Sequence, residues 1–223
     1  MVSLITEGSA TDDQGRPFRR RRIVPIVVLL CVFALVAVVV WIRVLQHEEQ
    51  AAQAVACNAP PPATDPAAPT LGEHVDSDEL ADVTPASPSS TQVRVYNANG
   101  EAGQASTVAS ELTNYGFTNA PDVQAGNDPI YTDQNLQCQG QLRFGPNGES
   151  AASAVWLLAP CAELIRDERQ DATVDLVLGT YFRNLSPNSD AQEVLRALQE
   201  TAPGDGPAPL DPDLLAAARA GRC

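Results

Sequence analysis

The sequence predicts an α+β protein. Its folded part is a small βαββαβ-type domain, preceded by one apolar helix and followed by a helical extension. Three observations predict it. Residues 23–42 hold no charged side chain. Residues 58–90 are rich in proline and alanine and contain no aromatic residue. From residue 91 on, short alternating stretches exchange with stretches whose apolar residues recur every three or four positions, the periods of a strand and of a one-sided helix.

The polar and then basic tail, 1–22, ends in Arg19, Arg20, Arg21 and Arg22. The run that follows, IVPIVVLLCVFALVAVVVWI, has no polar face of the kind a soluble helix shows. At about 1.5 Å per residue it is long enough for a hydrocarbon core of about 30 Å. Arginines cluster before the run, and His47, Glu48 and Glu49 follow it. The positive-inside rule then places the N-terminus in the cytoplasm and the rest of the chain outside, in a single pass through the cell membrane. The small-residue pattern Ala54-Val55-Ala56 ahead of Cys57 offers a cleavage site. The apolar run exceeds the roughly 7–15 residues of a signal-peptide core, which favours a retained span. The expected layout is a cytoplasmic tail over 1–22, a transmembrane helix over 23–45, a helical stalk over 46–57, a disordered Pro/Ala-rich linker over 58–90, the domain over 91–182 and the helical extension over 183–223.

Within the domain, Val93 and Val95 alternate with Arg94 and Tyr96 in a first strand. Asn97-Ala98-Asn99-Gly100 forms a turn. Ala105, Val108, Ala109, Leu112 and Tyr115 share one face of the next helix, which Gly116 closes. A short strand is expected over 122–124 and another over 141–144. A helix over 149–158 then carries Ala151, Val155 and Leu158 on one face, with Pro160 stopping it. A buried strand over 172–178 ends at Gly179. Beyond it, Ser189 with Gln192 makes a capping-box pattern, and Asp211-Pro212 opens a last helix. This order stacks the helices on one face of a sheet.

The pattern of Val93, Val95, Asn97, Gly100, Gly103, Ala105, Val108, Ala109, Leu112, Gly116 and Phe117 resembles the LytR C-terminal domain, an extracytoplasmic domain of Gram-positive and actinobacterial envelopes. Residues 174–179, VDLVLG, resemble that family's last strand and its glycine. In many relatives the domain follows a LytR-CpsA-Psr catalytic domain, which attaches glycopolymers to peptidoglycan. That domain is missing here, so the resemblance does not carry the transferase activity over. A single span, a linker and a lone domain with extra cysteines also resemble a family of mycobacterial envelope integrity proteins. The resemblance implies a membrane-anchored protein that supports envelope integrity without catalysis, by binding cell-wall polymer or another envelope protein. The alternative it leaves open is an accessory subunit acting in trans with a LytR-CpsA-Psr transferase.

The chemistry legible in the residues agrees with a non-enzyme. Gly100 and Gly103 do not make the G-x-G-x-x-G spacing, and no Gly-Lys-Ser/Thr follows, so no nucleotide cofactor is expected. Gly100 is read as permitting the turn, and Gly103 as letting the helix approach the sheet. From residue 91 on there is no histidine, which leaves serine and cysteine nucleophiles without an imidazole base. Asp167 and Glu168, in RDERQD, read as a solvated loop, and nothing marks a glycosidase-type carboxylate pair. With His47 and His74 as the only histidines and no C-x-x-C, neither a metal site nor a thioredoxin-like site is expected. Residues 46–223 hold 25 acidic side chains against eight arginines, and lysine is absent, which argues against nucleic acid.

Cys31 lies in the apolar run, whereas Cys57, Cys138, Cys161 and Cys223 lie beyond it. An even number in an oxidising compartment implies two disulfides. Four cysteines allow three pairings. The favoured one joins Cys138 to Cys161 and Cys57 to Cys223; its rival is one intramolecular pair with an intermolecular bridge through Cys57.

Overall fold

The computed structural model describes residues 24–63, 65, 67–200 and 210–220, with the side chains of 24 and 42–55 left aside. The basic tail over 1–22 and Cys223 lie outside the described residues. The chain divides into two compact units between Glu48 and Glu49. Helix α1, Val24–Val55, is 32 residues long. Its described side chains, 25–41, are apolar apart from the lone sulfhydryl of Cys31, and all are exposed. Among the described residues no helix is long and apolar enough to cross a membrane.

The second unit is built on one mixed sheet. Its strands are β1 (Glu73–Val75), β2 (Gln92–Asn97), β3 (Thr118–Asn119), β4 (Ala125–Asn127), β5 (Gly140–Phe144), β6 (Glu163–Arg166) and β7 (Val174–Leu178). Its helices are α2 (Ser77–Ala81), α3 (Gln104–Asn114), α4 (Glu149–Trp156), α5 (Ser189–Glu200) and α6 (Pro212–Arg219). The strand order is β1-β6-β5-β7-β2-β3, and β4 also pairs with β2. β2 runs parallel to β3, β4 and β7; β5 runs parallel to β6 and antiparallel to β7; β1 runs antiparallel to β6.

The two-residue period of the strands gives the sheet two unlike faces. Val93 and Val95 of β2, Leu142 and Phe144 of β5, and Leu176 and Leu178 of β7 join one apolar core. Each of α2 to α6 adds to it, through Leu80, Leu112, Val155, Leu195 and Ala218 respectively. The intervening residues, Arg94, Tyr96, Gln141, Arg143 and Asp175, belong to the other face. A smaller cluster of Ala98, Tyr131, Leu136, Cys138 and Val177 lies apart from the main core.

The helix α3 ends as its glycine requires. Gly116 sits at φ +86 and donates to Thr113 O at 2.9 Å, while Phe117 donates to Leu112 O at 3.1 Å. That pair of bonds is a Schellman motif, and it returns Phe117 to the core beside Leu112. Gly103, at φ +79, precedes α3, and a Cβ built on it meets nothing within 4 Å. Its role is therefore the left-handed backbone angle and not the close approach of helix to sheet that its place in the motif suggested. Gly103→Ala is expected to cost about 1–2 kcal/mol in urea unfolding, and Gly103→Asn distinctly less, because asparagine tolerates that angle. Equal costs for the two would show that the angle is not what selects glycine.

Four expectations about elements, caps and cross-links need correction. The stretch 58–90 is not a disordered linker: it contains β1, α2 and a 3-10 turn over Pro88–Ser90, and it buries Val75 and Leu80. Strand β1 is held by pairing with β6, a long-range contact that local composition does not reveal. The βαββαβ order is also incomplete. From β2 on the order is β2-α3-β3-β4-β5-α4-β6-β7, with β3 and β4 where a single strand over 122–124 was expected. β6 escaped notice because Leu164 and Ile165 are adjacent and both buried, so no alternation marks it. At α5 the cap is Asn188, whose Oδ1 accepts from Ala191 N at 2.7 Å, and not Ser189. The fourth correction concerns the disulfides, given below.

Candidate functional site

The motif turn is built to hold itself together. Asn99 donates to Gln104 Oε1 and to Gly179 O, both at 2.8 Å, and its Oδ1 accepts from Glu101 N at 3.0 Å. Asn97 is buried and donates to Glu101 O, while its Oδ1 has no partner among the described residues. Asn97, Gly100 and Gly103 thus come together in one turn that ties the end of β2 to α3 and to the residue after β7.

The polar face of the sheet carries two ionic clusters. Asp175 of β7 sits between two guanidinium groups, accepting from Arg94 Nε at 2.6 Å and from Arg169 Nη2 at 2.5 Å. Arg94 also reaches Asp122 at 3.0 Å, and Arg169 reaches Asp167. Burial pulls the Arg169 guanidinium down, but its hydrogen bonds to Asp175 and Asp167 outweigh this and hold it above its ordinary range. The RDERQD segment is therefore not merely solvated: Asp167 orients Arg169 toward the sheet. Hydrogen bonds from the Thr173 hydroxyl and amide hold Asp171 below the usual carboxylate range.

The second cluster is more deeply buried. Arg143 of β5 pairs with Asp128 through two bonds, 2.7 and 3.1 Å, and donates to Gln141 Oε1 at 2.8 and 3.1 Å. Gln141 in turn donates to Glu163 at 2.9 Å. The Tyr131 ring stands 5.8 Å from the Arg143 guanidinium carbon, and its hydroxyl donates to Asn58 O at 2.5 Å. Burial raises the Tyr131 phenol above its ordinary value.

Asn58 leads to the disulfides. Its side chain donates to Asn135 O at 3.0 Å and accepts from Gln137 N at 2.6 Å. Next to it, Cys57 is bonded to Cys138, with the Cα atoms 4.9 Å apart. This overturns the favoured pairing of Cys138 with Cys161 and of Cys57 with Cys223. Because 56–59 lies along the loop before β5 instead of in a free linker, Cys57 reaches Cys138 within the same chain. Cys161 is disulfide-bonded as well.

A cleft opens between α2, α4 and α6. From the last turn of α6, Arg219 donates to Ala81 O, to Val83 O at 2.5 Å and to Ser153 Oγ at 2.7 Å. Its guanidinium carbon stands 5.9 Å from the Trp156 ring. Burial lowers the Arg219 guanidinium, with Asp82 opposing the shift. The Trp156 indole donates to Pro160 O at 3.1 Å. A cavity of about 690 Å³ is lined by Ser77, Asp78, Asp82, Leu210, Leu215 and Trp156 among others. A second, of about 660 Å³, shares Trp156 and Arg219 with it and adds His74, Asp76 and Glu163. Neither Trp156 nor Arg219 carries a sequence signal, since the two meet only through the packing of α6. Among the described residues no group of three or more metal-ligating side chains converges.

Over 223 residues, all of both chains, the sequence is 44% identical to the cell envelope integrity protein Cei of Mycobacterium tuberculosis. The chain belongs to the Cei family. Within it, residues 90–182 match the family described as LytR cell envelope-related transcriptional attenuator. The Cei-family fold is also similar to the crystal structure of the soluble domain of a conserved hypothetical secreted protein from Mycobacterium marinum. That similarity has a TM-score of 0.61 at 50% identity, covering 69% of this chain and 99% of the other. The part of the Cei-family chain that matches the LytR-related family runs from β2 to the loop after β7, so it includes Trp156 but not Arg219.

Proposed function

We propose that this chain is a membrane-anchored, extracytoplasmic protein that supports the integrity of the cell envelope by binding, without catalysis. The observation that carries this reading is the identity, along the whole chain, with a protein named for envelope integrity. The uncharged run 23–42 and the arginines before it support the anchor and its direction. The secreted relative supports an extracytoplasmic second unit. Non-catalytic action is supported by the lack of any histidine after His74, and by ionic clusters in which the buried carboxylates are each engaged by arginine. The ligand is a wall polymer or another envelope protein.

A strain lacking the gene is expected to take up more dye and to be more sensitive to detergent. Intact protein should restore the barrier, and protein lacking residues 91–223 should not. An unchanged barrier in the deletion strain would remove the proposed role. A second reading, which rests on the match at 90–182, is that the chain is an accessory subunit acting in trans with a LytR-CpsA-Psr transferase. In that case crosslinking in cells should recover a LytR-CpsA-Psr enzyme.

A further inference from the structure

We propose that the cleft between α2, α4 and α6 is a binding site for an uncharged, polyhydroxylated chain, a glycan segment. This rests on the binding function proposed above and names its site and ligand chemistry.

The cleft has a specific inventory of hydrogen-bonding groups. Among the described residues its one cation, Arg219, is spent on its own walls, donating to Ala81 O, Val83 O and Ser153 Oγ. The Asp78 carboxylate and the Ser77 and Thr84 hydroxyls line the cavity with no hydrogen bond or ion pair among the described side chains, and the Asp82 carboxylate beside them has only its electrostatic attraction to Arg219. The free polar groups are thus mostly acceptors, which call for a ligand rich in donors. The other wall is apolar: Leu210, Pro212, Leu215 and Ala216, with Trp156 between the two.

Those two walls exclude the simpler ligand classes. Among the described residues an anion would meet two carboxylates and no free cation. A purely apolar ligand would strip water from Asp78 and Asp82 without replacing it. A cationic group would lie beside the Arg219 guanidinium. A sugar has what remains: hydroxyls that donate to carboxylates along its edge, and a C–H face that packs on apolar side chains.

The walls are also held in place before any ligand arrives. Arg219 is half-buried with hydrogen bonds only to carbonyls and a hydroxyl, an expensive way to end a helix. What it accomplishes is to draw α6 over Trp156. Asn188 fixes α6 from the other side, donating to Ala217 O at 3.0 Å and Ala218 O at 3.2 Å. On the opposite wall, Glu79 of α2 is tied to Arg166 of β6 at 3.0 Å. Fixed walls lower the ordering cost of binding. The volumes of about 690 and 660 Å³ are typical of ligand sites. Because both cavities share Trp156 and Arg219, the shape suits a chain of sugars better than a single one.

The test uses the full-length chain in detergent micelles with Trp41→Phe, which leaves Trp156 as the only indole. Its fluorescence is followed on adding N-acetylchitohexaose, which is neutral, a chitosan hexamer, which is cationic, or polyphosphate. The neutral oligosaccharide should bind, and D78N/D82N, an exposed pair, should weaken it about tenfold while a cooperative melting transition is retained. Equal binding by D78N/D82N would place the site elsewhere and overturn the inference. So would a preference for chitosan or polyphosphate. No response to any probe also overturns it, and co-sedimentation with isolated cell walls then separates the two levels. Co-sedimentation would leave wall binding standing without this site; its absence would remove wall binding as well.

Discussion

Cys57→Ser is expected to lower the stability of the second unit by about 4–5 kcal/mol. The bond it removes joins residues 81 apart in sequence, and closing a loop of that length restricts the unfolded chain by roughly that amount in the chain-entropy model. The folded state also loses, since Cys138 is fully buried and would be left as a lone thiol beside Tyr131 and Leu136. Urea unfolding measures the effect. Adding a reductant to the native chain should shift the midpoint in the same direction, and adding it to a variant lacking all the paired cysteines should do nothing. The variant must also be compared on a non-reducing gel. With Cys57 paired inside its own chain, the native protein should run as a monomer, and a dimer band lost on Cys57→Ser would contradict the structure. An unchanged urea midpoint would mean that residues 57 and 58 are not part of the fold.

The second large effect is at the Asp128–Arg143 pair. The side chains are 0% and 3% exposed, and their two bonds are 2.7 and 3.1 Å long. Removing one partner strands the other charge in a dry site, so Asp128→Ala should cost about 3–5 kcal/mol. Replacing both, as Asp128→Leu with Arg143→Met, should cost far less than the two single changes together, because no charge is left buried. A double-mutant cycle by urea unfolding reads this directly. Additive costs would show that the two groups do not depend on each other. The Gln141 side chain would then be the larger support, since it also accepts two bonds from Arg143.

Where the sequence could be read, the signal was local. The strand β2, its turn and the helix α3 follow from alternation, from two glycines with positive φ and from a Schellman ending, all set within 26 residues of chain. The Asp211 cap and Pro212 announce α6 in the same way, with Asp211 Oδ1 accepting from Asp213 N at 2.9 Å. Where the reading failed, the cause was distant. The segment carrying β1 and α2 has the composition of a linker, and it is ordered by pairing with β6 and by burying Leu80 under α4. The disulfides went wrong for the same reason: once that segment was treated as free, Cys57 had no cause to lie near Cys138. In the cleft, Trp156 and Arg219 belong to different helices and meet only after α6 has docked. The turn of Asn97, Gly100 and Gly103 was found because a family pattern runs through it, yet its hydrogen bonds serve the fold. The polar face, with Arg94, Arg143 and Asp175, was visible only as the other half of an alternation.

The covalent path through the molecule is shorter than its sequence. Cys57 stands two residues beyond Val55, the last residue of α1, and its sulfur bond passes directly to Cys138, just before β5. A tensile load entering from α1 therefore reaches the middle of the sheet in one step. It then continues through β5 into α4 and Trp156. Everything between Cys57 and Cys138, including β1, α2, β2 and α3, hangs on this line as an unloaded branch. A load drawn between α1 and β5 therefore bypasses the three-residue β1 along the covalent chain.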